Sequence, residues 1–188
     1  SHALENSTPD ILFHLAAQSL VLPSYQDPIK AYQTNVIGTL NVFEAARHNT
    51  KVKTIINVTS DKCYENKNWE WPYRETEELG GHDPYSSSKA CAEILTASYR
   101  KSFFSPEHNN DCTLLSVRAG NCIGGGDWSQ ARLIPDIIRA YQSKSKLIVR
   151  NPNATRPWQH VLEPLTGYMM LAEQAYTNNT YAQAWNFG

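Results

Sequence analysis

Tyr85 and Lys89 are the residues from which chemistry can be built. The run Asp83-Pro84-Tyr85-Ser86-Ser87-Ser88-Lys89 puts a phenol and an ammonium four positions apart, with three small hydroxyl residues between them. On a helix, positions i and i+4 lie one turn apart on the same face, so both groups can point into one site. A positive charge nearby favours phenolate and lowers a tyrosine pKa from its ordinary value of about 10. Such a pair could take a proton from an alcohol near neutral pH. The same pattern also describes an exposed helix start, so the surrounding elements must decide between the two.

Those elements follow from the apolar pattern. Residues 10–18 (DILFHLAAQ), 54–60 (TIINVTS) and 112–121 (CTLLSVRAGN) are short apolar runs that end in small or polar residues. That is the signature of strands buried on both faces of a parallel sheet. A helical period runs through residues 28–47, with Ala31, Val36, Leu40, Phe43 and Ala46 three to five positions apart. Further helices are expected over 85–102, 134–143 and 164–175, and a strand near 147–150. The polar, aromatic stretch 65–83 reads as a loop over a site, and a second polar loop spans 106–111. Alternating strands and helices give an α/β fold with a parallel sheet, whose ligands collect beyond the carboxyl ends of the strands. Three such ends, Ala16-Ala17-Gln18, Ser60-Asp61-Lys62 and Gly120-Asn121, are expected to meet near Tyr85.

Bulk properties exclude several classes of function. With 188 residues the chain is long enough for one domain with a real core, or one domain and part of a second. Its 17 basic and 18 acidic residues leave a net charge of −1 with no basic block, which speaks against a nucleic-acid or anionic-membrane partner. No apolar run is long enough to cross a membrane, and the first ten residues lack the plan of a secretory signal. Cys63, Cys91, Cys112 and Cys122 form no C-x-x-C pair, so reduced thiols in a cytoplasmic protein are expected. The histidines and cysteines show no metal-ligand spacing, and no metal site is expected. No internal repeat or low-complexity segment occurs. A G-x-x-G-x-x-G loop after an N-terminal strand is absent, and Gly124, Gly125 and Gly126 come too late to replace it.

Seven segments carry a resemblance: HLAAQSLV (14–21), TNVIGT (34–39), TSDKCYEN (59–66), DPYSSSKACAE (83–93), RAGNCIGGGDW (118–128), RLIPD (132–136) and RPWQHVLEPL (156–165). In this order they resemble the extended short-chain dehydrogenase/reductases, and within them the sugar-nucleotide 4,6-dehydratases that act on CDP-glucose. The resemblance implies a Rossmann-like doubly wound parallel sheet without its N-terminal glycine-loop βαβ part, together with a portion of a smaller C-terminal substrate domain. It implies a division into 1–122 of the cofactor domain and 123–188 of the substrate region, with the helix near 162–176 packing back on the first. It further implies NAD as cofactor, a CDP-glucose substrate, a homodimer or dimer of dimers, and inactivity of these 188 residues by themselves.

Site residues follow position by position from the same resemblance. Tyr85 is the base, Lys89 lowers its pKa and holds the nicotinamide ribose, and Ser60 bonds the substrate's 4-hydroxyl. Asp61 is the acid toward the departing 6-hydroxyl. Lys62 stands where related dTDP-glucose dehydratases carry the glutamate that takes the C5 proton, so as a base it must be neutral; an ordinary solvated lysine is the alternative. Leu15, Ala16, Ala17, Gln18 and Thr34 line the cofactor, and Cys122 meets it through its backbone. Asn121, Arg132, Leu133 and Arg156 approach the sugar diphosphate or nucleotide, guanidinium forks suiting phosphate geometry. His160, with Trp158, shapes the substrate wall, His160 reading as a hydrogen-bonded structural residue rather than a catalyst. Epimerase or reductase chemistry of the same superfamily, and a non-catalytic binding module, are the alternatives.

Overall fold

In the computed structural model, residues 2–108 and 110–188 are described; Asn109, in the expected loop 106–111, lies outside them. Four parallel strands form the main sheet: β1 (Ile11–His14), β2 (Thr54–Val58), β3 (Thr113–Ala119) and β6 (Ala184–Phe187), side by side in that order. Register is regular, with Ile11 opposite Thr54, Thr54 opposite Thr113, and Ser116 opposite Ala184. A two-stranded ribbon, β4 (Asn121–Ile123) with β5 (Trp158–His160), stands beyond the end of β3.

Helices cover both faces. Before β1 comes α1 (His2–Ser7). Between β1 and β2 lie α2 (Val21–Gln26), α3 (Pro28–Tyr32), a π-helical turn (Gln33–Ile37) and α4 (Gly38–Arg47). A 3-10 turn (Asp61–Cys63) and α5 (Pro84–Ser102) join β2 to β3; a second such turn (Pro106–His108) follows α5. Then come α6 (Leu133–Gln142), α7 (Leu162–Thr177) and a last 3-10 turn (Asn179–Tyr181) before β6. This is the doubly wound, Rossmann-like arrangement expected from the resemblance.

Side chains alternate across the pleat, and the core divides accordingly. Ile55 and Leu114 point to one face, where they pack with Phe43, Ala46, Val52, Phe104 and Cys112. Ile56, Leu115 and Val117 point to the other, against Tyr168, Leu171, Ala172 and Ala175 of α7. Each fully buried Ile, Leu or Phe contributes roughly 1.5–3 kcal/mol. These two layers hold the strand ends rigid, which is what a site at those ends requires.

Several local expectations differ from the structure. The strand near 147–150 does not form; the segment has no regular structure, Ile148 is 81% exposed, and it pairs with no described strand. Strands β4, β5 and β6 and helices α1 and α2 were not expected. Gly120 explains how β5 comes so close to β3: a Cβ there would lie 2.6 Å from Pro157 Cγ and 3.0 Å from Pro157 O. Among the described residues no helix is long and apolar enough to cross a membrane.

Candidate active site

Strand β2 ends at Val58, and the chain then turns sharply. Ser60 is extended and caps the 3-10 turn, its Oγ accepting from the Lys62 N–H at 3.2 Å and donating to Asp61 Oδ1 at 3.1 Å. The Ser-Asp-Lys run therefore forms a capped corner at the mouth of the sheet. Across from it, α5 begins at Asp83, whose carboxylate accepts from Ser86 N at 2.9 Å and from Ser86 Oγ at 2.6 Å, with Pro84 at the first helical position. Gly81, at φ +132°, lets the incoming chain pass against this first turn; a Cβ there would sit 2.7 Å from Ser86 Cβ.

Tyr85 thus enters the second position of α5, with the Ser60 hydroxyl close enough to act on its phenol. Burial pushes the Tyr85 pKa up; the Asp61 and Asp83 carboxylates push the same way, while the Ser60 hydroxyl and the Arg132 charge pull it down. Lys89 is 6% exposed, and its Nζ donates to the Val58 carbonyl at 3.2 Å. Lys89 itself is held down at about 8 by burial, opposed by the charge of Glu93 and then of Cys63.

The intervening serines position the phenol-bearing turn. Ser88 Oγ donates to the Tyr85 carbonyl at 2.7 Å and accepts from Asn35 Nδ2 at 2.8 Å. Asn35, fully enclosed in the π-helical turn, also clasps Gln18, accepting its N–H at 2.8 Å and donating to its carbonyl at 3.0 Å. Thr39 Oγ1 donates to Asn35 O at 2.7 Å, so His14 Nε2, 3.1 Å from that oxygen, carries the proton it shares. Burial, and then the Lys89 charge, lower the His14 pKa, which keeps the ring neutral. From α2, Ser24 Oγ accepts the Tyr85 N–H at 3.1 Å. Side chains from β1, α2, the π-helical turn and α5 are thereby joined in one bonded set.

Beneath Lys89, one turn further along α5, lies Glu93. It accepts from Arg118 Nη2 at 2.6 Å, from Ser116 Oγ at 2.8 Å and from Thr59 Oγ1. Arg118 in turn donates to Tyr64 Oη at 2.7 Å and to the Glu75 carbonyl at 3.0 Å, and its guanidinium lies over the Tyr64 ring. Tyr64 Oη donates to Asn186 Oδ1 at 2.7 Å, and Asn186 Nδ2 donates to Tyr73 O at 2.9 Å. The loop 65–83 is thus pinned to β3 and β6 from below.

Ser60, Asp61, Tyr85 and Lys89 are gathered at one mouth, and Cys122, its pKa raised by burial and the Asp61 charge, lies on the same side. Half-buried Lys62 follows Asp61 in the 3-10 turn. Arg132 reaches over from the start of α6, donating to Ser19 O at 3.2 Å. Leu15 and Ala16 are exposed and Ala17 and Gln18 half-buried just beyond β1, with Gln18 Oε1 buried and lacking a partner. Thr34 is half-buried beside Asn35. Asn121 pairs with Trp158 at the base of the ribbon, and Leu133 is the exposed first residue of α6. Arg156 is exposed and donates to the adjacent Thr155 carbonyl, away from Tyr85's bonded set. His160 Nδ1 accepts the Leu162 N–H at 3.3 Å, a bond made at the start of α7. Among the described residues no acidic, histidine or cysteine cluster could hold a metal.

The family model for GDP-mannose 4,6 dehydratase matches residues 1–185. The chain belongs to that family. A CDP-glucose 4,6-dehydratase of Salmonella typhimurium is 51% identical over 183 residues, which are 96% of this chain and 51% of that relative. The chain spans about half the length of that curated relative. A dTDP-glucose 4,6-dehydratase double mutant of Streptomyces venezuelae, solved with NAD and DAU bound, matches with a TM-score of 0.83 at 20% identity, over 100% of this chain and 55% of that one. An epimerase of Methanothermobacter thermautotrophicus matches with a TM-score of 0.84 at 22% identity, over 100% and 53%. At these identities the structural matches speak for the fold, which dehydratases and epimerases share.

Within this member of the GDP-mannose 4,6 dehydratase family, sequence reasoning missed Asn35, Glu93 and Arg118. Two of them carried a signal. Arg118 interrupts an otherwise apolar strand, and a charge there must be paired. Glu93 continues the Tyr85, Lys89 spacing by another four residues onto the same buried face.

Proposed function

We propose that the protein carrying this chain is an NAD-dependent sugar-nucleotide 4,6-dehydratase that converts CDP-glucose to CDP-4-keto-6-deoxyglucose. The observation that carries the reading is the Ser60–Asp61 corner after β2 set against the buried Tyr85 and Lys89 of α5, in a chain half identical to a CDP-glucose 4,6-dehydratase. NAD fits the residues present: the polar Gln18 Oε1 is left without a protein partner close after the exposed Leu15 and Ala16 at the end of β1. Leu15, Ala16, Ala17, Gln18, Thr34, Lys89 and the Cys122 backbone would hold it. When bound, NAD would accept hydride from C4 and return it to C6, with no net redox change.

The chain's own residues do the rest. Ser60 holds the 4-hydroxyl and Tyr85 takes its proton. The resulting ketone acidifies C5–H, and Lys62 takes that proton only in its neutral form. Asp61 gives a proton to the 6-hydroxyl as it departs as water. Asn121, Arg132 and Leu133 hold the diphosphate side, with Arg156 and His160 closing on the nucleotide and sugar. On this reading residues 1–122 serve the cofactor half and 123–188 the substrate half, the enzyme works in the cytoplasm, and it is a homodimer or a dimer of dimers.

Substrate carrying deuterium at C4 tests the reaction. The label is expected at C6 of a 4-keto-6-deoxy product that has lost one water. Label retained at C4, with the 6-hydroxyl intact, would instead mean an epimerase.

A further inference from the structure

Tyr85, Lys89 and Glu93 follow one another at successive helical turns on one face of α5, and all three are buried. A carboxylate so placed, only 3% exposed, calls for a reason. It is held on three sides, by Thr59 from the end of β2 and by Ser116 and Arg118 from β3, so it has no freedom to swing away.

The groups facing Lys89 can be enumerated. His14 approaches from β1, Cys63 from the 3-10 turn and Glu93 from its own helix; Arg118 is paired with Glu93 on the side of β3. His14 is neutral, the Cys63 thiol is pushed up to about 12 by burial, and the Asp61 charge acts on Tyr85. The bonded partner of Lys89, the Val58 carbonyl, is a dipole and not a charge. That leaves Glu93 as the anion facing the amine.

We propose that Glu93 is the positioning residue for Lys89: clamped by Thr59, Ser116 and Arg118, its carboxylate is the fixed counter-charge that keeps the buried amine protonated and aimed at the mouth of the sheet. The balance of influences on Lys89 agrees, since Glu93 is the larger of the two charges that oppose its burial. Through Arg118, Tyr64 and the Glu75 carbonyl, the same carboxylate is tied to the loop 65–83, so the loop and the amine share one anchor. The role given to Glu93 rests on the reading of Lys89 as the amine that serves Tyr85.

Isotope-labelled lysine resonances, with Lys89→Arg to assign the signal, allow Lys89 to be titrated in the intact protein. In Glu93→Gln the Lys89 midpoint is expected to fall by about one pH unit or more. That variant strands the Arg118 guanidinium, so the pair Glu93→Gln/Arg118→Met is measured beside it; it removes both charges, and a smaller fall in the same direction is expected. Glu93→Asp is expected to restore part of the shift, which a merely structural role would not do. A Lys89 midpoint unchanged in the double variant overturns the proposal. The titration uses no nucleotide sugar, so its result stands apart from whether the protein eliminates water.

Discussion

A buried ammonium destabilises a fold unless something opposes its loss of water. Lys89 is such a group: only 6% exposed, with a pKa held at about 8 against 10.5 for a free side chain. A gap of that size corresponds to about 3 kcal/mol of destabilisation where the amine is charged in both folded and unfolded states. Between pH 8 and 10.5 the folded protein gives up this proton first, the unfolded chain binds more protons, and stability rises with pH. Lys89→Met should therefore be more stable than the parent at pH 7 by up to about 3 kcal/mol. That advantage should shrink steadily as the pH is raised through the same window. Urea unfolding of both proteins at neutral and alkaline pH measures it; a constant or widening gap would contradict the burial account. Tyr85 shows the same competition from the other side. Burial and the Asp61 and Asp83 charges raise its pKa, while the Ser60 hydroxyl and the Arg132 charge oppose the rise.

Elements place these residues through polar contacts as much as through apolar ones. The helix from α3 to α4 widens into a π-helical turn over Gln33–Ile37, which brings Asn35 inward, where it bonds to the chain after β1 and to α5. Asn35→Ala would leave the Gln18 amide and the Ser88 hydroxyl without their partner in a buried setting, at a cost of roughly 1–3 kcal/mol. The expected result is a lower unfolding midpoint together with faster hydrogen exchange at the Gln18 amide. Unchanged exchange at Gln18 would mean that the loop after β1 is held by other contacts. The apolar elements were legible in the sequence because β2 and β3 are buried on both faces and read as unbroken runs. Strand β6 was not, since its four residues are all half-buried and give no period. Residues 147–150 misled for the opposite reason: Leu147, Ile148 and Val149 have strand-forming side chains, but pairing, not propensity, makes a strand.

At the scale of the molecule, the doubly wound sheet brings the ends of β1, β2 and β3 together, and this much followed from where each apolar run stopped. Tyr85 and Lys89 were legible from their types and spacing, and Ser60 and Asp61 from the polar end of β2 together with the family resemblance. Their support was harder to see. A glutamate in a helix ordinarily reads as a solvated face, and only the third dimension shows Glu93 enclosed by Thr59, Ser116 and Arg118. Likewise the tie between loop 65–83 and β6 spans more than a hundred residues of sequence, from Tyr64 to Asn186, and no local pattern announces it. The fold itself does not choose between dehydratase and epimerase, since both share it at nearly equal TM-scores. On the proposed reading the choice falls on Asp61, as the acid of an elimination that an epimerase does not perform. The most direct measurement is therefore the reaction of Asp61→Asn in the intact enzyme with CDP-glucose, following reduced nicotinamide by absorbance and the sugar by mass. The expected result is that C4 oxidation persists, reduced nicotinamide accumulates, and loss of water falls by roughly 10²–10⁴-fold. Water loss at the parent rate would contradict the account.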